Sequence, residues 1–462
     1  MFAKSLPPCQ SPLRRYVCSG SQTPQIHTLP AELLLEIFFW CHPLGLHVTT
    51  GEKPIAEAMS LAQTCSRWRQ ICLGSTTLWN QINVNLVDVG RNATQLVELY
   101  LRYSRDAPLI LTITDFEEGE DDIHAEELED AAYDILASLV AACERWSRVN
   151  LDVAWNFFDA FPFDMPDLQV PEPFPRLESL SVQWEPVSSV TDFCKSNVLF
   201  DKLAFAQNLR DLEIASYNTT IPMPLQKLTR ISVCSLTCWT FYQLLSSCQS
   251  LEYLMVDHLV LSEDDFFVVS CSPSLKNARL SVGGNSHHIE QLFQSITLPS
   301  LNDLHIQASC TEFPLDSVTS MLCRSKSING LQQLSLDAAA KDTELLDLLR
   351  LTKNLRALRI HTHYQLTSHF FSQLTFPTDT RSFREVLIPN LNYLYLACHC
   401  FAAPIGIAGI EMFESRFQPA SWLPQSYRSL TLHLPRRNRQ LPASMLTRLG
   451  YLTSIGLDLR II

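Results

Sequence analysis

Histidine and cysteine are the side chains that could ligate a metal or open a nucleophilic reaction, and their spacing argues against both. Cys398, His399 and Cys400 are adjacent, whereas the cysteines of a structural zinc knuckle are separated by two residues. His361 and His363 would point the same way from a strand, with His369 close behind, yet a closed zinc site needs four well-placed ligands. No two histidines have the spacing of a metalloprotease helix. His287-His288 follows Gly283-Gly284 and reads as a turn. Only 13 glycines occur in 462 residues, and none forms a phosphate-cradling loop or a nucleophile elbow. The expectation is a chain with no metal, no cofactor and no catalytic residues, whose working parts are surfaces.

One such surface needs elements to carry it, and a repeated pattern supplies them. A motif of apolar, two variable, apolar, one variable, apolar residues recurs along the chain. Clear copies are Leu177/Leu180/Val182, Leu209/Leu212/Ile214, Leu228/Ile231/Val233 and Leu251/Leu254/Val256. The series continues at Leu275/Ala278/Leu280, Leu301/Leu304/Ile306, Leu331/Leu334/Leu336 and Leu355/Leu358/Ile360. It closes with Leu391/Leu394/Leu396, Tyr427/Leu430/Leu432 and Leu452/Ile455/Leu457. Looser copies lie earlier, at Trp79/Ile82/Val84 and Trp146/Val149/Leu151. The last two apolar positions alternate with polar ones, which predicts a strand with one buried face.

Helical stripes fall between these strands. They are Phe241/Leu244/Leu245, Ile289/Leu292/Phe293/Ile296, Val318/Met321/Leu322 and Leu345/Leu346/Leu348/Leu349, the last opened by Asp342-Thr343 as an N-cap. Strand and helix alternate at a period of about 25 residues, so each unit must bury its leucines against the next. The variable strand residues then face solvent in register. Tyr253, Met255, Arg359, His361, Tyr393 and Tyr395 are the candidate binding anchors among them, since large aromatic and arginine side chains dominate interface energetics.

The second surface is near the N-terminus. From Leu33 to Trp40 every residue except Glu36 is apolar. A helix that is apolar all round must be covered on all sides, and this run is too short to span a bilayer, which takes about 20 residues. Cover must come from the rest of the chain or from another protein.

The stretch Thr28 to Trp79 resembles an F-box. Leu29-Pro30 followed by Glu32, Leu33, Leu34, Glu36, Ile37 and Phe38 is similar to the first helix of that module. Cys65, Arg67, Trp68 and Ile71 match its last helix, and Leu78-Trp79 its closing pair. Residues 43–54 depart from the family as an insertion between the first two helices. The resemblance implies docking onto the Skp adaptor of a Skp–Cullin–F-box ubiquitin ligase, and through it onto a cullin. Leu29, Pro30, Leu33, Leu34, Ile37, Phe38, Cys65 and Trp68 would then make the apolar contact.

The repeats resemble a degenerate leucine-rich-repeat solenoid. Degenerate repeats behind an F-box, with the phrases RYSRDAPL and ERWSRVNL, are similar to a large class of fungal F-box proteins. The position three residues beyond each motif, often Asn or Cys in that family, is Glu185, Tyr217, Leu236 or Leu259 here, so the turns must be closed differently. The expected fold is therefore α/β: a tail over 1–27, a three-helix F-box over 28–80, a linker region over 81–145, and an irregular solenoid of alternating strands and helices over 146–462. The implied function is substrate recognition for the ligase, the array gripping an unknown protein target. The alternative is a non-catalytic scaffold that acts in protein assembly without a cullin.

Composition bounds the partners. The net charge of −13 argues against nucleic acid, which is bound through basic surface. Much of the acidity is local: Asp115 to Asp130 has ten carboxylates and no lysine or arginine, leaving about −3 for the rest. That stretch is expected as a solvated loop leading into a helix with Leu128, Ala132, Ile135, Leu136 and Leu139 as its stripe. Fifteen scattered cysteines suit a reducing compartment, cytoplasmic or nuclear, where buried thiols act as small hydrophobes. Residues 1–31 contain Arg14-Arg15 and no acid, but Pro7, Pro8, Pro12 and Pro24 would break the amphipathic helix of a presequence. No apolar run is long enough to cross a membrane.

Overall fold

The computed structural model describes residues 25–41, 45–49, 53–87, 89–115, 130–153, 174–183, 202–217, 223–263, 265, 267–364, 366–376, 387–398, 407–417, 429–433, 443–454 and 458–461. The N-terminal helix α1 (Ala31–Cys41) is followed by two short strands, β1 (Leu46–Val48) and β2 (Ile55–Ala56), then by α2 (Glu57–Thr64) and α3 (Ser66–Gly74). Next come β3 (Gln81–Asn85), α4 (Arg91–Ser104), β4 (Leu109–Thr114), α5 (Asp130–Ala141), β5 (Trp146–Asp152), β6 (Ser179–Gln183) and β7 (Asp211–Ser216). The middle of the chain adds β8 (Arg230–Thr237), α6 (Cys238–Ser247), β9 (Tyr253–Val260), β10 (Ser270–Cys271), β11 (Asn277–Gly283), α7 (Ser286–Ser295), β12 (Ile296–Thr297) and β13 (Asp303–Ala308). The remainder is α8 (Leu315–Ser325), β14 (Gln333–Asp337), α9 (Asp342–Leu351), β15 (Ala357–Thr362), α10 (Ser368–Leu374), β16 (Tyr393–Cys398), α11 (Ile407–Phe417), β17 (Ser429–His433), α12 (Ala443–Ser454) and β18 (Asp458–Ile461).

Sixteen of these strands form one sheet, ordered along the chain from β2 and β1 through β3 to β18. Every pair is parallel except β1–β2. Parallel neighbours need a crossover on one side; helices provide it from β3 to β5, between β8 and β9 and from β11 to β18, while between β7 and β8 the described crossover has only the 3-10 turn Leu225–Lys227; β10 and β12 form a small separate sheet. The motif leucines are the core. Leu251, Leu254 and Val256, then Leu301, Leu304 and Ile306, and their counterparts in the other central units are all buried in one continuous cluster.

A side chain one residue ahead of the motif ties several units to the one before. Asn208, Ser274, Ser300 and Asn354 each precede a motif leucine, and each side chain donates to a backbone carbonyl of the preceding unit, at 2.7, 2.9, 2.5 and 2.7 Å. A second lock repeats beside it. The carbonyl just before one strand accepts two successive N–H groups from the next unit, as Glu252 O does from Lys276 N and Asn277 N. These contacts satisfy backbone groups at the starts of those strands, as burial requires.

Three expectations need correction. Residues 81–145 are not a linker outside the array: β3 and β4 lie in the same sheet, with α4 and α5 between and after them. The copy at β4 is hidden in the sequence because Pro108 stands at the leading apolar position, ahead of Leu111 and Ile113. The terminal motif is also displaced. Leu452 lies on α12, and the strand is β18, whose Leu459 and Ile461 pair with Leu430 and Leu432. Finally, His287 and His288 lie in the first turn of α7, not in a turn; the turn is at Gly284, whose φ of 136° suits glycine.

Smaller details follow. Asp342 begins α9 but does not cap it; its carboxylate accepts the N–H of Thr367 at 2.8 Å in the next unit. The helix α5 has the foreseen stripe of Ala132, Ile135, Leu136 and Leu139. Residues 116–129, which contain most of the acidic loop and Leu128, lie outside the described residues, as do 1–24 and the Cys-His pair at 399–400.

Candidate functional site

Helix α1 presents two stripes because residues four apart share a face. Leu34 and Phe38 point inward and are 0% and 1% exposed. The ring of Phe38 meets that of Trp68 on α3, centroids 4.7 Å apart. On the other stripe Leu33 is 51% exposed, Ile37 36% and Trp40 82%, with Phe39 alongside at 45%. Trp40 is held by its indole N–H donating to the Glu36 carboxylate at 3.0 Å. Arg67 on α3 ties the start of this unit together by donating to the Leu29 carbonyl.

The eight residues expected to contact an adaptor therefore separate. Leu33, Ile37 and Pro30 lie on the surface. Leu29, Cys65 and Trp68 are half-buried, the Cys65 thiol accepting the Trp68 N–H at the start of α3. Leu34 and Phe38 are sealed in the chain's own core, so their expected role in an external contact is corrected to packing. Phe39 and Trp40 belong to the exposed patch instead. The signal was present in the spacing of 33, 37 and 40 against 34 and 38, but a helix apolar on both stripes hides which one faces in.

The insertion between α1 and α2 gives the F-box-like unit its mounting. Its strand β1 pairs parallel with β3, Leu46 opposite Ile82 and Val48 opposite Val84. The Tyr100 hydroxyl of α4 donates to the Gly45 carbonyl at 3.4 Å, and burial pushes that phenol upward in pKa. Trp79 sits on Tyr100 at 5.0 Å and donates its indole N–H to the Cys72 carbonyl at the end of α3, 2.8 Å away. Trp146 repeats that device two strands on, donating to Leu139 O at 3.0 Å.

The open face of the sheet is the second site. Its residues stand in rows across the strands. One row runs Arg230, Tyr253, Asn277, Asp303, Gln333, Ala357, Tyr393. The adjacent row runs Met255, Arg279, His305, Ser335, Arg359, Tyr395. Between them lies a depression of about 640 Å³ floored by Ala278, Leu304 and Leu334. Four of the six expected anchors flank this ground as aromatic–sulfur or aromatic–cation pairs. The Tyr253 hydroxyl donates to the Met255 sulfur at 3.4 Å, and the Arg359 guanidinium lies 4.9 Å over the Tyr395 ring. Tyr393 borders the depression as well. His361 stands one row further along, its Nδ1 2.7 Å from the Asp337 carboxylate. Sequence reading passed over Arg230, Arg279 and His305 as anchors. Arg230 covers the Tyr253 ring at 4.4 Å, and register alone would have placed all three beside the chosen ones.

Comparison with known proteins bears on the first site. Residues 26–85 match the family model described as F-box-like. The F-box-like match thus includes the insertion with β1, and also β2 and β3. Among solved structures, one titled "Crystal structure of Rad7 and Elc1 complex in yeast" has a TM-score of 0.37 and 14% identity, covering 87% of this chain and 96% of that chain. No curated protein matches the chain at a significant level. Among the described residues no cluster of three metal-ligating side chains occurs, and no helix is long and apolar enough to cross a membrane.

Proposed function

We propose that this chain is the substrate-recognition subunit of a Skp–Cullin–F-box ubiquitin ligase. The outward stripe of α1 binds the Skp adaptor, and the open face of the sheet binds the protein to be ubiquitinated. The observation that carries this reading is the exposed set Leu33, Ile37, Phe39 and Trp40 inside a segment that matches an F-box-like family. Water-facing apolar side chains crowded onto one helix mark a protein contact. The repeats behind it are read as a leucine-rich-repeat solenoid whose strands display a recognition surface.

On this reading the chain contributes no covalent step. It brings target and conjugating enzyme together and raises their effective concentration. Co-expression with a Skp adaptor tests the proposal: the two should co-purify, and Leu33→Glu with Ile37→Glu should abolish the complex. Recovery of the cullin in the same complex separates a ligase receptor from a scaffold that uses the adaptor alone. An intact chain that recovers no Skp adaptor sinks both.

A further inference from the structure

Between β9 and β11 the layer behind the sheet has no helix among the described residues; irregular chain leads from Val260 through Phe267, Val268 and Val269 into the short strand β10. This strip runs between α6 and α7. The Phe267 ring is 6.4 Å from that of His288 in the first turn of α7, and the Ser270 hydroxyl is 3.5 Å from that of Ser246 near the end of α6. Its strand β10 pairs with β12, which follows α7 in the chain. The Tyr242 and Ser295 hydroxyls, 2.6 Å apart, tie the two helices together. On this ground Val269 is 84% exposed and Trp239, in the first turn of α6, 52%, with Val260 and Val268 also open. Val260 stands opposite Thr237, the N-cap of α6. The other apolar side chains of α6 are buried, so Trp239 alone of them is left to water.

The border of the strip is acidic and uncompensated. From Ile231 to Leu275 there are five carboxylates and no lysine or arginine, and from Leu280 to Cys323 four carboxylates and again neither base. Glu263 and Asp265 lie on the strip itself and Glu290 on α7. Burial, then the Asp265 carboxylate, raises the Cys238 thiol, which places that charge beside the start of α6. Among the described residues none of these three acids forms an ion pair, and Lys276, the next basic residue along the chain, is engaged by Glu252 at 2.8 Å. Apolar side chains crowded into water mark a protein contact, and their border selects a partner of opposite charge. We propose that this strip, behind the sheet and away from its open face, docks an amphipathic helix of a partner protein. The helix would lay its apolar stripe on Trp239, Val268 and Val269 and carry lysines and arginines along both borders. A helix fits because the strip lies between two helices, where neighbouring units place one of their own, at a spacing helices pack across.

The inference stands apart from the adaptor and target sites, and the experiment keeps it so. The full chain is titrated with three fluorescent peptides of about 18 residues, long enough to hold a helix. One has a leucine stripe bordered by lysines, the second the same stripe bordered by glutamates, and the third the composition of the first with the stripe scrambled. The lysine-bordered helix should bind at least about tenfold more tightly than either other peptide. Val269→Ser and Trp239→Ala should each remove that gain, the first with an unchanged unfolding midpoint because the side chain is in water. Glu263→Lys with Glu290→Lys should turn the preference toward the glutamate-bordered peptide, and Leu33→Glu with Ile37→Glu should leave binding as it was. The proposal is overturned if the scrambled peptide binds as well, which makes the attraction one of charge alone, or if the gain survives both Val269→Ser and Trp239→Ala. It is also overturned if the chain dimerises in sedimentation and Val269→Ser makes it monomeric, since the strip then belongs to a second copy.

Discussion

Phe38 on α1 and Trp68 on α3 meet ring to ring, 4.7 Å between centroids and inclined by 57°. The pair marks the boundary between what α1 gives to its own fold and what it leaves for a partner. Leu34 and Phe38 lie inside it, Leu33, Ile37 and Trp40 outside. Phe38→Ala should cost about 3–5 kcal/mol and Leu34→Ala about 2–5, read from denaturant midpoints. Trp40→Ala and Ile37→Ala should move stability by about 0.5 kcal/mol or less while weakening adaptor capture. Equal stability losses on both stripes would contradict this division.

Arg416 should be among the most sensitive side chains near the C-terminal end. It is buried, donates to the carbonyls of Leu374, Leu387 and Ile388 at 2.6, 2.8 and 3.1 Å, and lies 4.6 Å from the Phe376 ring centre. Leu374 ends α10, so the guanidinium satisfies acceptors a helix terminus leaves open. Arg416→Met would keep much of the volume and strand those carbonyls, at about 3 kcal/mol. Thermal unfolding of the variant measures it, and a shift under a degree would refute the assignment.

Gly284→Ala should destabilise the junction between β11 and α7. The backbone there has φ of 136°, and an added Cβ would lie 3.2 Å from the Leu261 side chain. A cost of about 1–3 kcal/mol follows from the disfavoured backbone alone. By contrast Gly90→Ala has nothing within 4 Å of the added atom and should cost only the preference of the α4 N-cap for glycine over alanine, about 0.5–1 kcal/mol; the two are compared by urea titration.

Four buried thiols make stability fall in alkali. Burial pushes Cys72 and Cys143 up to about 11 and Cys238 and Cys248 up to about 12, from an ordinary 9.0. A raised folded value means the unfolded chain gives up these protons first. The stabilisation is complete below pH 9 and is lost as pH rises from there through the folded values. The urea midpoint should hold from pH 7 to 8 and drop by pH 10. With a thiol reagent, Cys271 and Cys323, which are exposed, should react at once and these four only on unfolding.

The strands were legible because each repeat imposes a period of two on its last two apolar positions, and burial of Leu180, Leu254, Leu304 or Leu358 leaves one solution for the register. The helices α6 to α9 followed from period alone, whereas α4 and α10 to α12 were not foreseen. What escaped was whatever depended on a neighbour. Asp342 has the composition of a cap, yet it serves Thr367, whose place beside it is fixed by the stack. Leu452 fits a strand motif as well as a helix face, and only pairing of β18 with β17 decides. At the sheet face single strands revealed Tyr253 and Arg359, but Arg279 and His305 gain meaning only from standing in the same row.

The pairing of β1 with β3 has a mechanical corollary. Backbone pairing joins β1 of the insertion to β3, and β3 to β4, so among the described residues the F-box-like segment and the stacked strands share one ladder. For a receptor built this way, span is set by the number of stacked units rather than by tether slack. Adding or deleting one unit would move the cargo by a fixed step and change which of its lysines come within range.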